Sequence, residues 1–183
     1  MYTKFPSGLI VENFFTQEYC NILKEELVQA TWIPALVSRY EGSEHLGIEH
    51  DSTISTALVT KGYKFNETIF DKNSIFQKVH NFISERFDIV PDSFSEYGIS
   101  RYPEGSKLSL HADTGVYNTK RLITCIIYIE SAINGGDICF PEANKEISVE
   151  KGMLLCFYSE LKHEVREIIS GERIALVFFA EAI

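Results

Sequence analysis

Beyond about residue 93 the chain reads as a succession of short apolar segments, each closed by a turn signal after roughly eight to twelve residues. Segments 95–102, 107–111, 121–129, 137–140, 146–149, 153–157, 163–169 and 173–180 have strand character. Pro103-Glu104-Gly105, Asn134-Gly135-Gly136, Lys151-Gly152 and Ser170-Gly171 punctuate them. Eight short strands in an antiparallel rhythm predict a jelly roll, a double-stranded β-helix of two packed sheets, rather than a parallel α/β sheet.

The first half has another period. Thr16 is placed to cap a helix over 17–30, with Ile22, Leu23, Leu27 and Ala30 on one face. A second helix over 72–87 carries Ile75, Phe76, Val79, Phe82, Ile83 and Phe87 at helical spacing, and Pro91 lies beyond its end. These two helices are expected to pad one outer face of the jelly roll. Between them, residues 33–62 hold Gly42, Gly47, Gly62 and many Ser and Thr. They predict an irregular excursion with one or two short strands, of a length that is often functional. The expected organisation is a single domain over 1–183, helical over about 1–92 with a jelly-roll core over about 93–183.

A chain of 183 residues should bury roughly 70% of its unfolded surface, so it needs no disulfide or structural metal to hold a core. Thirteen Phe and nine Tyr suit a β core with a lined pocket. The formal net charge is -9 and no Lys or Arg block occurs, which argues against nucleic acid as a partner. Cys20, Cys125, Cys139 and Cys156 form no CxxC pattern and read as buried free thiols in a reducing compartment. Residues 1–15 lack the apolar core of a signal peptide, and no apolar stretch is long enough to span a bilayer. A cytoplasmic protein with no membrane partner is expected.

Chemistry enters at His111-Ala112-Asp113, where a strand ends. Strand side chains alternate, so His111 and Asp113 project to one side and aim an imidazole and a carboxylate at a common point. Two histidines and one carboxylate on one face of an octahedron leave three positions for exogenous ligands. As a lone triplet, His-x-Asp is more often an ordinary strand end. His163, about fifty residues on, opens a strand that a jelly roll can set beside the one ending at His111. Arg173 opens the last, otherwise apolar strand. It either faces solvent or offers a planar fork to a carboxylate in a pocket.

From Tyr102 to Phe179 the sequence resembles the 2-oxoglutarate/iron(II) dioxygenases, and especially their prolyl 4-hydroxylase-like branch. The resemblance rests on Tyr102 and Gly105, His111 and Asp113, Arg121 and Thr124, and Tyr128-Ile129-Glu130. It continues through Gly135-Gly136, Phe140-Pro141, Lys151-Gly152, His163 and Arg173, and more loosely covers the amino-terminal stretch from Ile10 to Cys20.

The resemblance implies that His111, Asp113 and His163 bind iron(II). It implies that Arg173 pairs with the distal carboxylate of 2-oxoglutarate and that Tyr128 hydrogen-bonds the same group. Thr124, an even number of residues from Tyr128, is expected to line that pocket as well. Tyr102 is expected either to approach cosubstrate or substrate, or simply to pack. Arg121, on the opposite pleat from Thr124, is expected to border the substrate entrance or to form an ion pair. Dioxygen is the co-reactant, and a need for ascorbate is left open. Retention of Asp113, where related halogenases carry a small residue, favours hydroxylation.

Other residues receive plainer readings. His80 is expected at the surface of the second helix, His45, His50 and Asp51 in solvated loop, and Glu164 pointing away from the metal. Trp32 and Tyr40 are candidate substrate-side aromatics, with core packing equally open to Trp32. Specificity should reside in residues 33–62 and the loop 114–120. The function expected is hydroxylation of an unactivated C–H bond of an amino-acid side chain, prolyl-type in a peptide or in a free amino acid, with release of succinate and carbon dioxide. The alternatives are a non-catalytic metal- or 2-oxoglutarate-binding module and an oxygenase of another small molecule. A nucleic-acid demethylase is disfavoured by the acidic charge.

Overall fold

The computed structural model describes residues 2–4, 10–41, 44–60, 63–115 and 118–182. Two four-strand sets face each other. The first runs Met153–Tyr158, Arg121–Glu130, Arg173–Glu181, Gly98–Tyr102, all antiparallel. The second runs Lys145–Ile147, Ile138–Phe140, His163–Val165, Leu108–His111. These eight strands form the jelly roll that the turn spacing predicts.

Alternation divides the first set into two cores. Cys125, Ile127, Ile129, Leu154, Cys156, Leu176 and Phe178 face the helices, while Ile126, Tyr128, Leu155, Phe157 and Ala175 meet Ile138, Phe140 and Ile147 of the second set. The helices Gln17–Glu26 and Lys72–Arg86 thus pad one outer face. Thr16 caps the first by accepting from the Tyr19 amide at 3.2 Å, and Asp71 caps the second by accepting from Ser74 at 3.0 Å. The buried stripe of the first helix is Cys20 and Leu23, continued by Leu27 in the 3-10 turn Leu27–Gln29. Ile22 is exposed instead, because it sits about 100° round the helix from Leu23. In the second helix all six apolar positions pack inward, and Phe76 stacks on Phe178 with centroids 4.7 Å apart.

Two segments differ from expectation. Residues 163–169 do not form one strand: after Val165 the Arg166 amide donates to Asp137 O, and Ile168–Ser170 turns to pair with Asn134–Gly135. Gly135 allows this crossing, since a methyl there would collide with the Glu167 carbonyl oxygen. The excursion over 33–62 contains four strand segments rather than one or two. Trp32–Pro34 and Leu58–Thr60 pair with each other and extend the first set beyond Gly98–Tyr102, and Val37–Glu41 pairs with Glu44–Glu49. The excursion is therefore a closed loop whose two ends are zipped to the sheet edge.

The amino-terminal strand Ile10–Asn13 pairs along Met153–Tyr158, and the chain beyond it is tied down at Gly152. Gly152, at φ +86, accepts from the Phe14 and Phe15 amides through its carbonyl, both at 2.9 Å, and donates to Tyr128 O at 2.8 Å. A side chain at this left-handed position would also strike the Phe15 carbonyl oxygen. Gly152→Ala is expected to destabilise the fold by about 2 kcal/mol or more, read as a lowered urea midpoint at unchanged slope.

Candidate active site

His111 ends one strand of the second set and His163 begins its neighbour, and the two are cross-strand partners. Asp113 lies two residues past His111, its amide donating to Ser159 O at 2.9 Å. The three side chains converge, with every pair of candidate ligand atoms within 4.8 Å. His111 Nε2 stands 3.5 Å from Asp113 Oδ1, and His163 Nε2 stands 3.6 Å from Oδ2. Each Nδ1 faces its own chain's carbonyl, Ser109 O at 2.8 Å and Leu161 O at 3.0 Å. A carbonyl only accepts, so both protons sit on Nδ1 and both Nε2 lone pairs point at the shared space.

The charge states of Asp113 and His163 suit a cation there. Burial pushes the His163 imidazole down to about 4, against the opposing pull of Asp113. Asp113 is held below the usual carboxylate range. Burial works to raise it, but the His111 and His163 imidazoles beside it and the Thr124 hydroxyl outweigh that. Burial also acts to lower His111, and there the hydrogen bond and charge of Asp113 prevail and raise it. One carboxylate and two imidazoles in a facial arrangement fit an iron(II) ion with open positions. Exposure is graded: the side chain of His163 is 4% accessible, Asp113 15% and His111 28%. Access to the triad is therefore from the His111 side.

Behind the triad lies a cavity of about 430 Å³, bounded by His163, Tyr102, Ile126, Ile138, Val165 and Arg173 among others. Arg173 is buried, and among the described residues no carboxylate pairs with it. It donates from Nη1 to Gly136 O at 2.9 Å and from Nη2 to the Tyr128 hydroxyl at 3.3 Å. Its guanidinium carbon lies 4.8 Å from the Tyr128 ring centroid and 5.1 Å from that of Tyr102. The Nε–H has no partner. A buried cation with a spare donor and a neighbouring Tyr hydroxyl is a receptor for a carboxylate. Burial holds Tyr102 protonated, pushed up to about 12 despite Arg173, so it can donate but not compete as an anion.

In front of the triad opens a second chamber of about 490 Å³. Its walls include Leu36, Ile54, Ala57 and Leu108, with Ser55, Asn118 and Arg121 as polar elements. The two chambers share Tyr102, His111, Asp113 and Arg121. Arg121 belongs to both because a register shift between Arg121 and Ile123 breaks strand parity. Its Nη1 donates to Asp113 O at 3.0 Å and its guanidinium lies 3.6 Å over the Phe179 ring.

Thr124 departs from the expected pocket lining: its hydroxyl donates to Asp113 Oδ2 at 2.8 Å. Trp32 packs against the helix-side core, with the Arg101 guanidinium 5.6 Å over its ring, and borders neither chamber. The Tyr40 and His45 side chains lie outside the described residues. His50 is exposed, and Asp51 accepts from the Thr53 amide at 2.9 Å in a local turn. His80 lies within the second helix, edge-on to Phe94. Glu164 turns away from the triad to Arg166 at 2.7 Å. Leu36 and Ile54 lie in the 33–62 excursion expected to set specificity, though not named singly, and the Gly136 carbonyl that holds Arg173 carried no signal beyond the glycine pair.

Residues 97–181 match the family described as the 2OG-Fe(II) oxygenase superfamily. The match covers just under half of the chain. Iron(II) and 2-oxoglutarate are the groups the superfamily's description names, and the donor set and the buried Arg173 fit both. A PKHD-type hydroxylase of Parvibaculum lavamentivorans is 29% identical over 92 residues, a match spanning 48% of this chain and 42% of that protein. The fold is that of prolyl hydroxylases. The Pseudomonas putida prolyl-4-hydroxylase superposes with a TM-score of 0.74 at 19% identity, covering 97% of this chain and 94% of that one. The collagen prolyl hydroxylase of Paramecium Bursaria Chlorella virus-1, solved with 2OG, gives 0.64 at 20% identity over 100% and 96%. A Trichoplax adhaerens prolyl hydroxylase in complex with a hypoxia inducible factor peptide gives 0.67 at 15% identity over 96% and 84%. Among the described residues no helix is long and apolar enough to cross a membrane.

Hydrogen bonds to a ligating carboxylate commonly contribute 10- to 100-fold in metal affinity. Thr124→Val keeps the shape and deletes the donor to Asp113. It should weaken Fe(II) binding by about that factor in an anaerobic titration, with little change in thermal midpoint.

Proposed function

We propose that this chain is an iron(II)- and 2-oxoglutarate-dependent hydroxylase of amino-acid side chains, with a prolyl-type residue in a peptide as the leading substrate and a free amino acid as the next. The reading takes 1–183 as one catalytic domain. The observation that carries it is the pairing of a His-Asp-His face with a buried, carboxylate-free Arg173 across one cavity. A structural arginine would have a counter-ion within the fold; this one is oriented for a diacid delivered from outside.

Bound iron(II), with 2-oxoglutarate and dioxygen, supplies the oxidising power to convert C–H to C–OH, and the 2-oxo acid leaves as succinate and carbon dioxide. The chain does the rest. His111 and His163 present neutral Nε2 atoms, and Asp113 contributes the one negative charge of the face. Arg173 and Tyr128 receive the distal carboxylate: Arg173 supplies charge and fork geometry, and the Tyr128 hydroxyl, already accepting from Nη2, retains its own proton to donate. Tyr102 stands between the chambers and restricts water from the inner one. Arg121, fixed over Phe179, offers its remaining N–H groups to a substrate carbonyl at the front. The apolar walls at Leu36, Ile54 and Leu108 suit a hydrocarbon side chain.

A peptide substrate is favoured over a free amino acid on two counts. The structural neighbours are prolyl hydroxylases, one of them bound to a peptide. Among the described residues the outer chamber offers no carboxylate other than Asp113 to meet a free ammonium group. Four free, buried cysteines support placement in a reducing compartment, the cytoplasm.

The test is succinate release under air with Fe(II), screened against proline-containing peptides and free amino acids. Substrate-stimulated succinate with a peptide is expected; binding of 2-oxoglutarate with no stimulation by any candidate would favour a binding module instead. His111→Ala, Asp113→Ala and His163→Ala should each abolish turnover, and full activity in any of them with added iron would remove that residue from the ligand set. Arg173→Ala should weaken 2-oxoglutarate binding by about 2–5 kcal/mol, the usual cost of truncating one partner of a buried charge pair, or roughly thirtyfold and upward. Unchanged cosubstrate affinity in anaerobic calorimetry would separate Arg173 from the cosubstrate.

A further inference from the structure

Ser159 is fully buried in the turn between Met153–Tyr158 and His163–Val165, and it borders neither chamber. Every polar atom it has is engaged around Asp113. Its amide donates to Leu122 O at 2.9 Å, and its carbonyl accepts from the Asp113 amide at 2.9 Å and the Thr114 amide at 3.2 Å. Its hydroxyl stands 3.0 Å from that of Thr124, which in turn is 2.8 Å from Asp113 Oδ2.

The proton order of this chain follows from the carboxylate. Read as an iron ligand, Asp113 is a carboxylate, which only accepts, and the Thr124 hydroxyl is placed on its Oδ2 at 2.8 Å. Thr124 therefore spends its proton on Oδ2, and its oxygen is left to receive the proton of Ser159. Two hydroxyls in series polarise each other in the same direction. The carboxylate is thereby restrained in rotation, with Oδ2 occupied and Oδ1 turned toward His111. A serine in the segment that leads into His163 thus sets the orientation of the ligand that follows His111.

We propose that Ser159 is a positioning residue for the metal-binding carboxylate, acting through Thr124. The inference rests on the reading of His111, Asp113 and His163 as the iron site. Its consequence is non-additivity: removing Ser159 matters only while Thr124 is present to transmit the effect.

The experiment is an anaerobic Fe(II) titration of the purified chain, with the visible spectrum of the Co(II)-substituted protein as a second readout. Ser159→Ala deletes one oxygen and leaves the three backbone hydrogen bonds of Ser159 in place. It should weaken Fe(II) about tenfold, at the lower end of the range for outer ligand-orienting groups, and alter the Co(II) spectrum. In a Thr124→Val background the same substitution should cost nothing further. Wild-type affinity with an unchanged spectrum in Ser159→Ala would overturn the proposal, as would losses that multiply in the double variant or a fall in thermal midpoint alone. His111→Ala run alongside separates the two levels. If it binds Fe(II) normally, the site itself is misread; if it loses Fe(II) while Ser159→Ala does not, only the relay falls.

Discussion

The antiparallel register that sets His163 directly opposite His111 is the constraint on which the site depends. A slip of one residue would send one imidazole to the outer face of the second set, because side-chain direction alternates with every position. The register is pinned from several sides. Val165 packs with Ile168 and Tyr102, Cys139 pairs with Glu164 on the other flank, and Ser159 ties the turn before His163 to the turn after His111. The segments carrying the three ligand candidates are thus joined by backbone hydrogen bonds before any metal is considered. A site held this way is preorganised, with the convergence of its like-acting donors sustained by the surrounding fold.

Arg173 shows the opposite economy. Burying a guanidinium without a carboxylate is unfavourable, and the fold offsets it only in part, through the Gly136 carbonyl, the Tyr128 hydroxyl and two aromatic faces. The unpartnered Nε–H marks what is left unsatisfied. That residue of unmet hydrogen bonding gives an anionic ligand something to gain on entry which water, in a cavity walled by Ile126, Ile138 and Val165, supplies poorly. The stability forgone in the empty protein thereby becomes selectivity for a carboxylate.

How much was legible in the sequence divides along local and non-local lines. Strand positions were readable because glycine-bearing turns such as Lys151-Gly152 mark where the chain must reverse, and caps such as Thr16 mark helix starts. The triad was readable because two of its members sit one pleat apart. Departures came where a local sign was passed over or a tertiary partner overrode a local pattern. The alternation of His163-Glu164-Val165 fails at the charged pair Arg166-Glu167, a local sign of the break that the strand reading of 163–169 passed over; Arg166 answers to Asp137 O. Arg121 was assigned to the wrong pleat because parity fails across the register shift beside it. Thr124 was assigned to the right side, but parity says nothing of depth, and its hydroxyl donates to Asp113. Trp32 took the core-packing role left open to it, against the helices and Arg101, rather than the substrate-side one.

The division into two chambers bears on how such a site avoids wasting its oxidant. The inner chamber ends at a fixed charge, Arg173, and accepts a ligand of definite length between that charge and the triad. The outer chamber is largely apolar, with the exposed Leu36 in its wall and Ser55, Asn118 and Arg121 as its polar elements. The two chambers meet at His111 and Asp113 and also share Tyr102, Arg121, Leu36 and Leu108, so they open onto each other beside the triad. Arg173 thus places a fixed charge at the deep end, while Arg121 is the cation nearer the mouth, among the apolar walls of Leu36, Ile54 and Ala57. Changes in the 33–62 excursion, which supplies Leu36, Ile54 and Ala57, can then alter what is oxidised while leaving the register, the triad and the cationic clamp untouched.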